Sequence, residues 1–319
     1  MACHRCSNRT EGRMFGALPP PILLEKSALT MDAELAGRRA LVTGGARGIG
    51  GAIAAALAGV GAWVAIGARS ADQVQQMADQ IAETGAETLA LELDVSKADS
   101  VARSVDAVQK AWGGVDILVN NAGVLGPIGL TESVDAEAWL ETIQINLGGC
   151  FLCTHACLPS MMAQGQGRII NLSGGGAVSP RPRFSAYGAS KAAIVRFTET
   201  LAAEVADTGI QVNAIAPGAV NTHMTQVTAE AGDPAGEEAA AALRQLQEGG
   251  ADVGRPAQLA LFLASSRSDG ITGRLFHAVW DDWEQVQAEE IRETELYTVR
   301  RLKPELQKSE PPPADEASS

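Results

Sequence analysis

The chain has 319 residues, of which 46% are apolar and 20% charged, so it can bury a sizeable core and is not composed like a disordered polypeptide. Asp and Glu outnumber Lys and Arg by 38 to 25; the resulting charge of −13 repels phosphate backbones and sets nucleic acid aside as a partner. No window approaches the roughly 20 unbroken apolar residues of a membrane span, which predicts a soluble protein with no membrane partner.

Residues 1–36 carry Arg5, Arg9, Arg13 and the Pro19-Pro20-Pro21 run without periodicity, and read as a disordered leader that lacks the apolar stretch of a secretion signal. Met31, just ahead of the first ordered pattern, reads as an alternative start. From Gly37 onward, strand-like runs recur at Arg39–Thr43, Trp63–Gly67, Thr88–Leu93, Ile117–Asn120, Arg168–Leu172, Gln211–Ile215 and Arg274–Val279. Between them lie Ala-rich helical stretches such as Gly48–Ala58, Ala71–Glu83, Lys97–Trp112 and Ser190–Ala206. Continuous apolar strands alternating with helices predict an α/β fold, a Rossmann-type doubly wound parallel sheet forming one domain over residues 37–283. Residues 284–319 read as an acidic extension, amphipathic to about Leu302 and disordered beyond. Val286, Ile291, Leu296 and Val299 recur there at near-helical spacing, an apolar stripe that either joins subunits or folds back on its own.

Cys150, Cys153 and Cys157 fall at i, i+3 and i+7 on one helix face, and His155 alone does not complete a metal site. No metal is expected; the three thiols read as small buried hydrophobes in a reducing, cytoplasmic compartment. Cys3, His4 and Cys6 belong to the leader.

The first strand runs into Thr43-Gly44-Gly45-Ala46-Arg47-Gly48-Ile49-Gly50 and then a helix. Glycines there let the backbone turn sharply and approach a pyrophosphate at the helix N-terminus; the bland alternative is a tight turn with no ligand. Further on stand Asn120-Asn121-Ala122-Gly123 at the end of the fourth strand, Tyr187-Gly188-Ala189-Ser190-Lys191 at a helix start, and Pro217-Gly218 after the sixth strand. In this order and spacing the motifs resemble the short-chain dehydrogenase/reductase family over about residues 37–275, which implies about seven parallel strands, NAD or NADP as cofactor and a dimer or tetramer.

The chemistry is also legible from the residues. Lys191 follows Tyr187 by four positions, so both share one helix face. A phenol is a poor acid at neutral pH, and a neighbouring ammonium poises it for proton transfer to a substrate oxygen. The other tyrosine, Tyr297, lies near the C-terminus. The resemblance makes Asn146 the asparagine that holds a water behind the lysine; by itself it reads as a helix cap. The family's serine stands 13 residues before the tyrosine, where this chain has Gly174. A shifted turn is expected to bring Ser173 to the site, with Ser179, Ser185 or backbone amides of the glycine run as alternatives and an impaired site as the remaining reading.

An NAD-type carboxylate is expected at the end of the second strand, where Ala68 stands; Arg69 follows, and Arg47 lies in the glycine loop. Two guanidinium groups without an acid favour the 2′-phosphate of NADP over NAD. Carried over by position, the resemblance implies that Gly44, Gly48, Ile49 and Gly50 would line the pyrophosphate. It implies that Asp94 and Val95 would face the adenine, although Asp94 also reads as a helix cap. On the same resemblance Asn120, Ala122 and Gly123 would line the adenosine ribose, while Pro217, Gly218, Val220 and Thr222 would hold the nicotinamide and pyrophosphate.

The segment from about Asn221 to Gly254 is the insertion that covers the substrate in this family, and it has no aromatic residue. Arg181 and Arg183 read either as solvated charge or as a site for a substrate carboxylate or phosphate. Trp280 and Trp283 replace the usual glycine-rich turn after the last strand, and are expected at a subunit interface or a substrate opening. The sequence therefore predicts a homo-oligomeric, NADP-preferring reductase or dehydrogenase acting on a small carbonyl or secondary alcohol, with a cofactor-binding sensor or scaffold as the competing function.

Overall fold

The computed structural model describes residues 34–301; Cys3, His4, Cys6 and the terminal stretch 302–319 lie outside them. Seven parallel strands form one sheet in the order β3-β2-β1-β4-β5-β6-β7. They are β1 (Arg39–Thr43), β2 (Trp63–Ala68), β3 (Thr88–Glu92), β4 (Ile117–Asn120), β5 (Gly167–Leu172), β6 (Ile210–Ala216) and β7 (Leu275–His277). All seven predicted strands are present. The last is shortened because the chain turns after His277, whose backbone N–H meets Asp281 Oδ2 at 2.6 Å.

Helices α1 (Gly48–Gly59), α2 (Ala71–Ala82), α3 (Ala98–Trp112), α4 (Ala136–Ile143), α5 (Gly149–Gln164) and α6 (Ser185–Glu204) follow in turn. After β6 come α7 (His223–Ala231), α8 (Glu237–Glu248) and α9 (Gly254–Ala264), and after β7 the one-turn α10 (Ala288–Ile291). Side chains alternate across the strands, so each sheet face buries its own core. Ala40, Val42 and Ile66 pack under α1, α2 and α9, while Leu41, Ala65 and Leu118 pack under α3, α5 and α6. Both faces are covered, hence the unbroken apolar strands. Cys150, Cys153 and Cys157 are free and buried along α5. Among the described residues no helix is long and apolar enough to cross a membrane.

The sixth helix begins at Ser185, five residues earlier than its periodicity predicts. Gly188 does not break it, because this glycine lies against the β5–α6 loop. A Cβ on Gly176 (φ +89°) would come within 2.8 Å of Gly188 Cα. Between α4 and α5 the chain makes a wide turn over Gln144–Gly148 that seats Asn146 inside a continuous helical run rather than at a cap.

The C-terminal segment departs from the expected exposed stripe. Val286 and Ile291 are buried in the core shared with α9 and Phe276, Leu296 is exposed, and a helix persists for only one turn. The cause is Arg274, whose guanidinium donates to the carbonyls of Ile291 (2.6 Å), Thr294 (2.9 Å) and Leu296 (2.8 Å). Those carbonyls are thereby turned onto one cation instead of along a helix axis. Tyr297 then stacks on Phe276 with centroids 4.6 Å apart, and its carbonyl accepts from Leu275 N–H at 2.7 Å. Trp283 is also internal, packed on Phe262, so it does not stand at a subunit interface or a substrate opening. At the other end Leu35, within the expected leader, is buried and its N–H bonds Val60 O at 3.1 Å.

Replacing Arg274 by Ala should leave several carbonyls short of a donor and lower stability by at least about 2 kcal/mol. Chemical denaturation monitored by tryptophan fluorescence measures it, and an unchanged midpoint would contradict this role.

Candidate active site

The strand order reverses beside β1, whose neighbours are β2 and β4. A crevice of about 740 Å³ opens at the C-terminal ends of these strands, where an open α/β sheet takes its ligand. Thr43 Oγ1 receives the N–H groups of Asn121 (3.1 Å) and Ala122 (3.0 Å), while Asn121 Nδ2 donates to the carbonyls of Thr43 and Gly44. This stitches the glycine turn to the end of β4. A Cβ on Gly50 would lie 2.4 Å from Gly44 O, so only glycine permits the approach. Helix α1 starts after Arg47 without a side-chain cap on its first amides, leaving them for an anion.

Gly44, Arg47, Gly48, Ile49 and Gly50 line one wall of the crevice. Ala68 and Arg69 line the next, and among the described residues neither Arg47 nor Arg69 forms a salt bridge. Asp94 and Val95 also border it. The Asp94 carboxylate accepts from Ser96 Oγ at 2.7 Å and Ser96 N–H at 3.1 Å and lies 3.3 Å from Lys97, and these hydrogen bonds hold it below the usual carboxylate range.

Ala122 and Gly123 line the crevice, but Asn120 does not. Strand alternation turns the Asn120 side chain into the core, where Nδ2 donates to Thr154 Oγ1 (3.0 Å) and Asn171 Oδ1 (2.9 Å). Asn121, which the sequence reading passed over, takes the outward position. In the β6–α7 loop, Thr222 alone of the expected residues borders the cavity. Val220 is buried, with its backbone bridged to Ala251, and Gly218 (φ +83°) lies against Val279 and His277. His223, Met224 and Val227 of α7 close the cavity and were also passed over; their polar and apolar mix left no motif to find.

Tyr187 and Lys191 lie on the buried side of α6, with Lys191 Nζ 5.5 Å from the phenol ring centroid. Nζ donates to Leu172 O at 2.8 Å, and burial pushes the ammonium down to about 8. Burial pushes the Tyr187 phenol up, and the Arg181 guanidinium pulls it back. Asn146 is locked by its Oδ1 accepting Val124 N–H at 2.8 Å and its Nδ2 donating to Val124 O and Ser190 Oγ, each at 2.9 Å. A Cβ on Gly123 would meet both Asn146 Oδ1 (3.1 Å) and Lys191 Nζ (3.6 Å), so a bare backbone lets the two converge.

Ser173 does not reach the position expected of it. Its N–H still pairs with Ile215 O at 2.8 Å, which continues the β5 ladder and points the side chain away from Tyr187; Oγ donates to Lys191 O at 3.3 Å. The residue that faces the phenol is Gly174, where a Cβ would lie 2.7 Å from Tyr187 Oη. Ser179 is exposed and Ser185 Oγ accepts from Trp139 Nε1.

Arg181 and Arg183 are half-buried and engaged by the protein's own acceptors. Arg181 grips Glu238 of α8 through Nε (2.8 Å) and an Nη (2.5 Å). Arg183, at φ +72°, donates to the carbonyls of Asp233 and Pro234. Both thus tie the β5–α6 loop to the insertion. Trp280 is 80% exposed and stacks on His277 with centroids 3.8 Å apart.

Residues 38–232 match the family model described as short chain dehydrogenase. The 3-oxoacyl-acyl-carrier-protein reductase of Vibrio cholerae is 37% identical over 247 residues, 76% of this chain and 96% of that protein. A short chain dehydrogenase of Pseudocercospora fijiensis is 39% identical over 193 residues, 60% of this chain and 62% of its own length. Among solved structures, a gluconate 5-dehydrogenase from Burkholderia cenocepacia in complex with NADP and tartrate superposes with a TM-score of 0.69 at 30% identity, covering 77% of this chain and 94% of that one. NAD⁺-bound xylitol dehydrogenase gives 0.70 at 28% identity, with 76% and 97% covered. The chain belongs to the short-chain dehydrogenase family, oxidoreductases that act on CH–OH or carbonyl groups with a nicotinamide dinucleotide.

Proposed function

We propose that the protein is an NADP-preferring oxidoreductase that interconverts a carbonyl and a secondary alcohol on a small molecule, with Tyr187 carrying the proton. The observation that carries this reading is the Tyr187–Lys191 pair on α6, beside a crevice whose glycine turn meets an uncapped helix N-terminus. Gly44, Gly48, Ile49 and Gly50 suit a pyrophosphate because they line the crevice at the uncapped first turn of α1. Asp94 and Val95 take the adenine and Ala122 and Gly123 the ribose. Thr222 flanks the nicotinamide end, with Pro217, Gly218 and Val220 shaping that loop from behind. A bound dinucleotide supplies or accepts the hydride.

In reduction, Tyr187 hydrogen-bonds the substrate oxygen and donates its proton to it. Lys191, whose buried ammonium holds its proton weakly, steadies the phenolate and returns a proton to it. Asn146 keeps the turn behind Lys191 fixed and holds the water of the relay. Substrates of two kinds fit the likenesses, a 3-oxoacyl thioester and a sugar or polyol. Tyr187→Phe should lower turnover by at least a hundredfold while NADPH affinity stays within about twofold. Turnover is read by NADPH absorbance and affinity by fluorescence titration; retained turnover refutes the role of Tyr187.

The cofactor preference rests on the pair Arg47 and Arg69 and on Ala68, which offers no carboxylate to a ribose 2′-hydroxyl. Arg69→Asp should weaken NADP binding by about tenfold or more and leave NAD within about threefold, since a charge-assisted contact to phosphate becomes a repulsion. Calorimetric titration of the two dinucleotides checks this, and tighter NAD binding by the native protein would overturn it.

A second reading, a cofactor-binding sensor or scaffold, is favoured by one observation, that Gly174 faces Tyr187 where a hydroxyl is expected. NADPH oxidation across a panel of carbonyls separates the two, since a sensor binds without turning over. Three buried free thiols accord with a reducing, cytoplasmic setting. The reading includes a homo-oligomer, dimer or tetramer, built on the α5–α6 face, where Phe151 is 48% exposed and stacks on His155 beside Phe197. Phe151→Glu should shift the light-scattering mass toward a monomer; an unchanged mass would remove this face from assembly.

A further inference from the structure

The loop between β5 and α6 contains Gly174, Gly175 and Gly176, and the side chain of Arg181 lies along it. A Cβ on Gly175 would meet Arg181 Cδ and Nη1 at 3.8 Å, and one on Gly176 would meet Arg181 Cβ at 3.2 Å. The guanidinium carbon sits 4.1 Å over the Phe184 ring centroid and 5.5 Å from that of Tyr187. Its side chain is 21% exposed, so bulk water does not screen it fully. Glu238 approaches from α8, 57 residues further along the chain, and takes the guanidinium with both carboxylate oxygens, Oε1 at 3.0 Å and Oε2 at 2.8 Å from Nε. A planar cation held by a carboxylate on one side and an aromatic ring on the other has one orientation.

We propose that Arg181 is the charged positioning residue of Tyr187, held over its ring by Glu238, and that it biases the phenol's proton where no hydroxyl at position 174 can. The proposal rests on the reading of Tyr187 as proton carrier. The surroundings of the phenol make the assignment specific. Leu125, Phe184 and Ala235 pack on it, with Met224 and Val227 of α7 behind, all apolar. Its own helix presents Lys191, whose Nζ is engaged by Leu172 O, with the Cys150 thiol beyond, kept neutral by burial that pushes it up to about 12. The β5–α6 loop presents Arg181, and α8 presents Glu238 through it. Arg183 turns away to the carbonyls of Asp233 and Pro234. Burial opposes the phenolate, and Arg181 acts in the other direction.

Because Glu238 belongs to the insertion, docking of that insertion and electrostatic tuning of the tyrosine are a single event. Gly176 gives the Arg181 stem its clearance, and the guanidinium supplies a positive charge beside the proton carrier.

The chain has two tyrosines, so in a Tyr297→Phe background the ultraviolet absorbance of tyrosinate titrates Tyr187 alone, without any substrate. In that background Arg181→Gln, whose amide can still bond Glu238, should raise the titration midpoint by about one pH unit. Glu238→Gln keeps an acceptor for the guanidinium but removes the opposing charge, and should lower the midpoint by a few tenths of a unit or more. Arg181→Lys, with charge but without the fork, should fall between Arg181→Gln and the parent. Shifts of opposite sign are the signature, since a merely structural role would loosen the loop in both variants and move the midpoint one way. An unmoved midpoint in either folded variant, or shifts of the same sign, overturns the proposal; Glu238 lies at the surface, so its variant provides the test if Arg181→Gln does not fold. The turnover pH profile should move with the midpoint. If Tyr187→Phe retains turnover while the opposite shifts are seen, the electrostatic pairing stands and the catalytic reading beneath it falls.

Discussion

The hydroxyl of Thr43 is a small group on which much depends. It stands at the end of β1, donates to Val119 O, and receives the amides of Asn121 and Ala122, so two loops that leave the sheet in opposite directions share one oxygen. The reversal of strand order would otherwise separate these loops and leave their amides unpaired at the floor of a cavity, a costly arrangement. With the floor fixed, Gly50 can pass within contact of Gly44, and the first turn of α1 is brought end-on to the crevice. Arg47 and Arg69 then stand at the rim, neither in a salt bridge among the described residues, in a chain whose overall charge is −13.

The proton-handling side obeys a different constraint. Lys191 is 4% exposed, Asn146 1% and Tyr187 8%, so each polar group must find its partners inside the protein. Lys191 and Asn146 do so through backbone groups of β5 and of the loop after β4, and neither is held by a carboxylate. An ammonium without a counter-ion in a buried site holds its proton less tightly, as its depressed value of about 8 reflects. Pairing with an acid would have restored the ordinary lysine range and made the same group a poor proton donor. The absence of a nearby acid is therefore part of what lets the residue serve a relay.

Strand positions and the glycine turn were legible in the sequence because both are governed by short-range rules: apolar continuity under two covering layers, and steric clearance that only glycine gives. Tyr187 and Lys191 were legible because i,i+4 spacing carries them onto one helix face whatever surrounds them. What escaped was set by orientation. Asn120 and Asn121 are indistinguishable as a dipeptide, and strand alternation alone decides which faces the cavity. The same alternation decides between Ser173 and Gly174: the ladder bond from Ser173 N–H to Ile215 O fixes the register, so the hydroxyl could not be carried forward by a flexible turn. The partners of Arg181 and Arg183 are 50 or more residues away, in an insertion of Ala, Glu and Gly whose sequence has no motif to announce them.

The C-terminal segment shows how one buried cation can override an amphipathic pattern. Val286 and Ile291 have the spacing of a stripe, yet a helix through them needs its carbonyls directed along the axis, and Arg274 collects those carbonyls at the start of β7. Each hydrogen bond to a guanidinium is stronger than the amide bond it displaces, and several converge on one group. The consequence reaches the sheet. A terminal strand presents unpaired amides and invites a second chain, and here the carbonyl of Tyr297 takes the Leu275 amide while its ring covers Phe276. Glu199 of α6 fastens the far end of the segment by accepting Val299 N–H at 3.1 Å and pairing with Arg300 at 2.6 Å. With this edge closed by the chain itself, sheet-to-sheet extension across β7 is blocked unless the segment lifts away, and any self-association at that end has to meet the segment rather than the strand. The aromatic face of α5 and α6 carries no such cover among the described residues, and Phe151 stands 48% exposed on it.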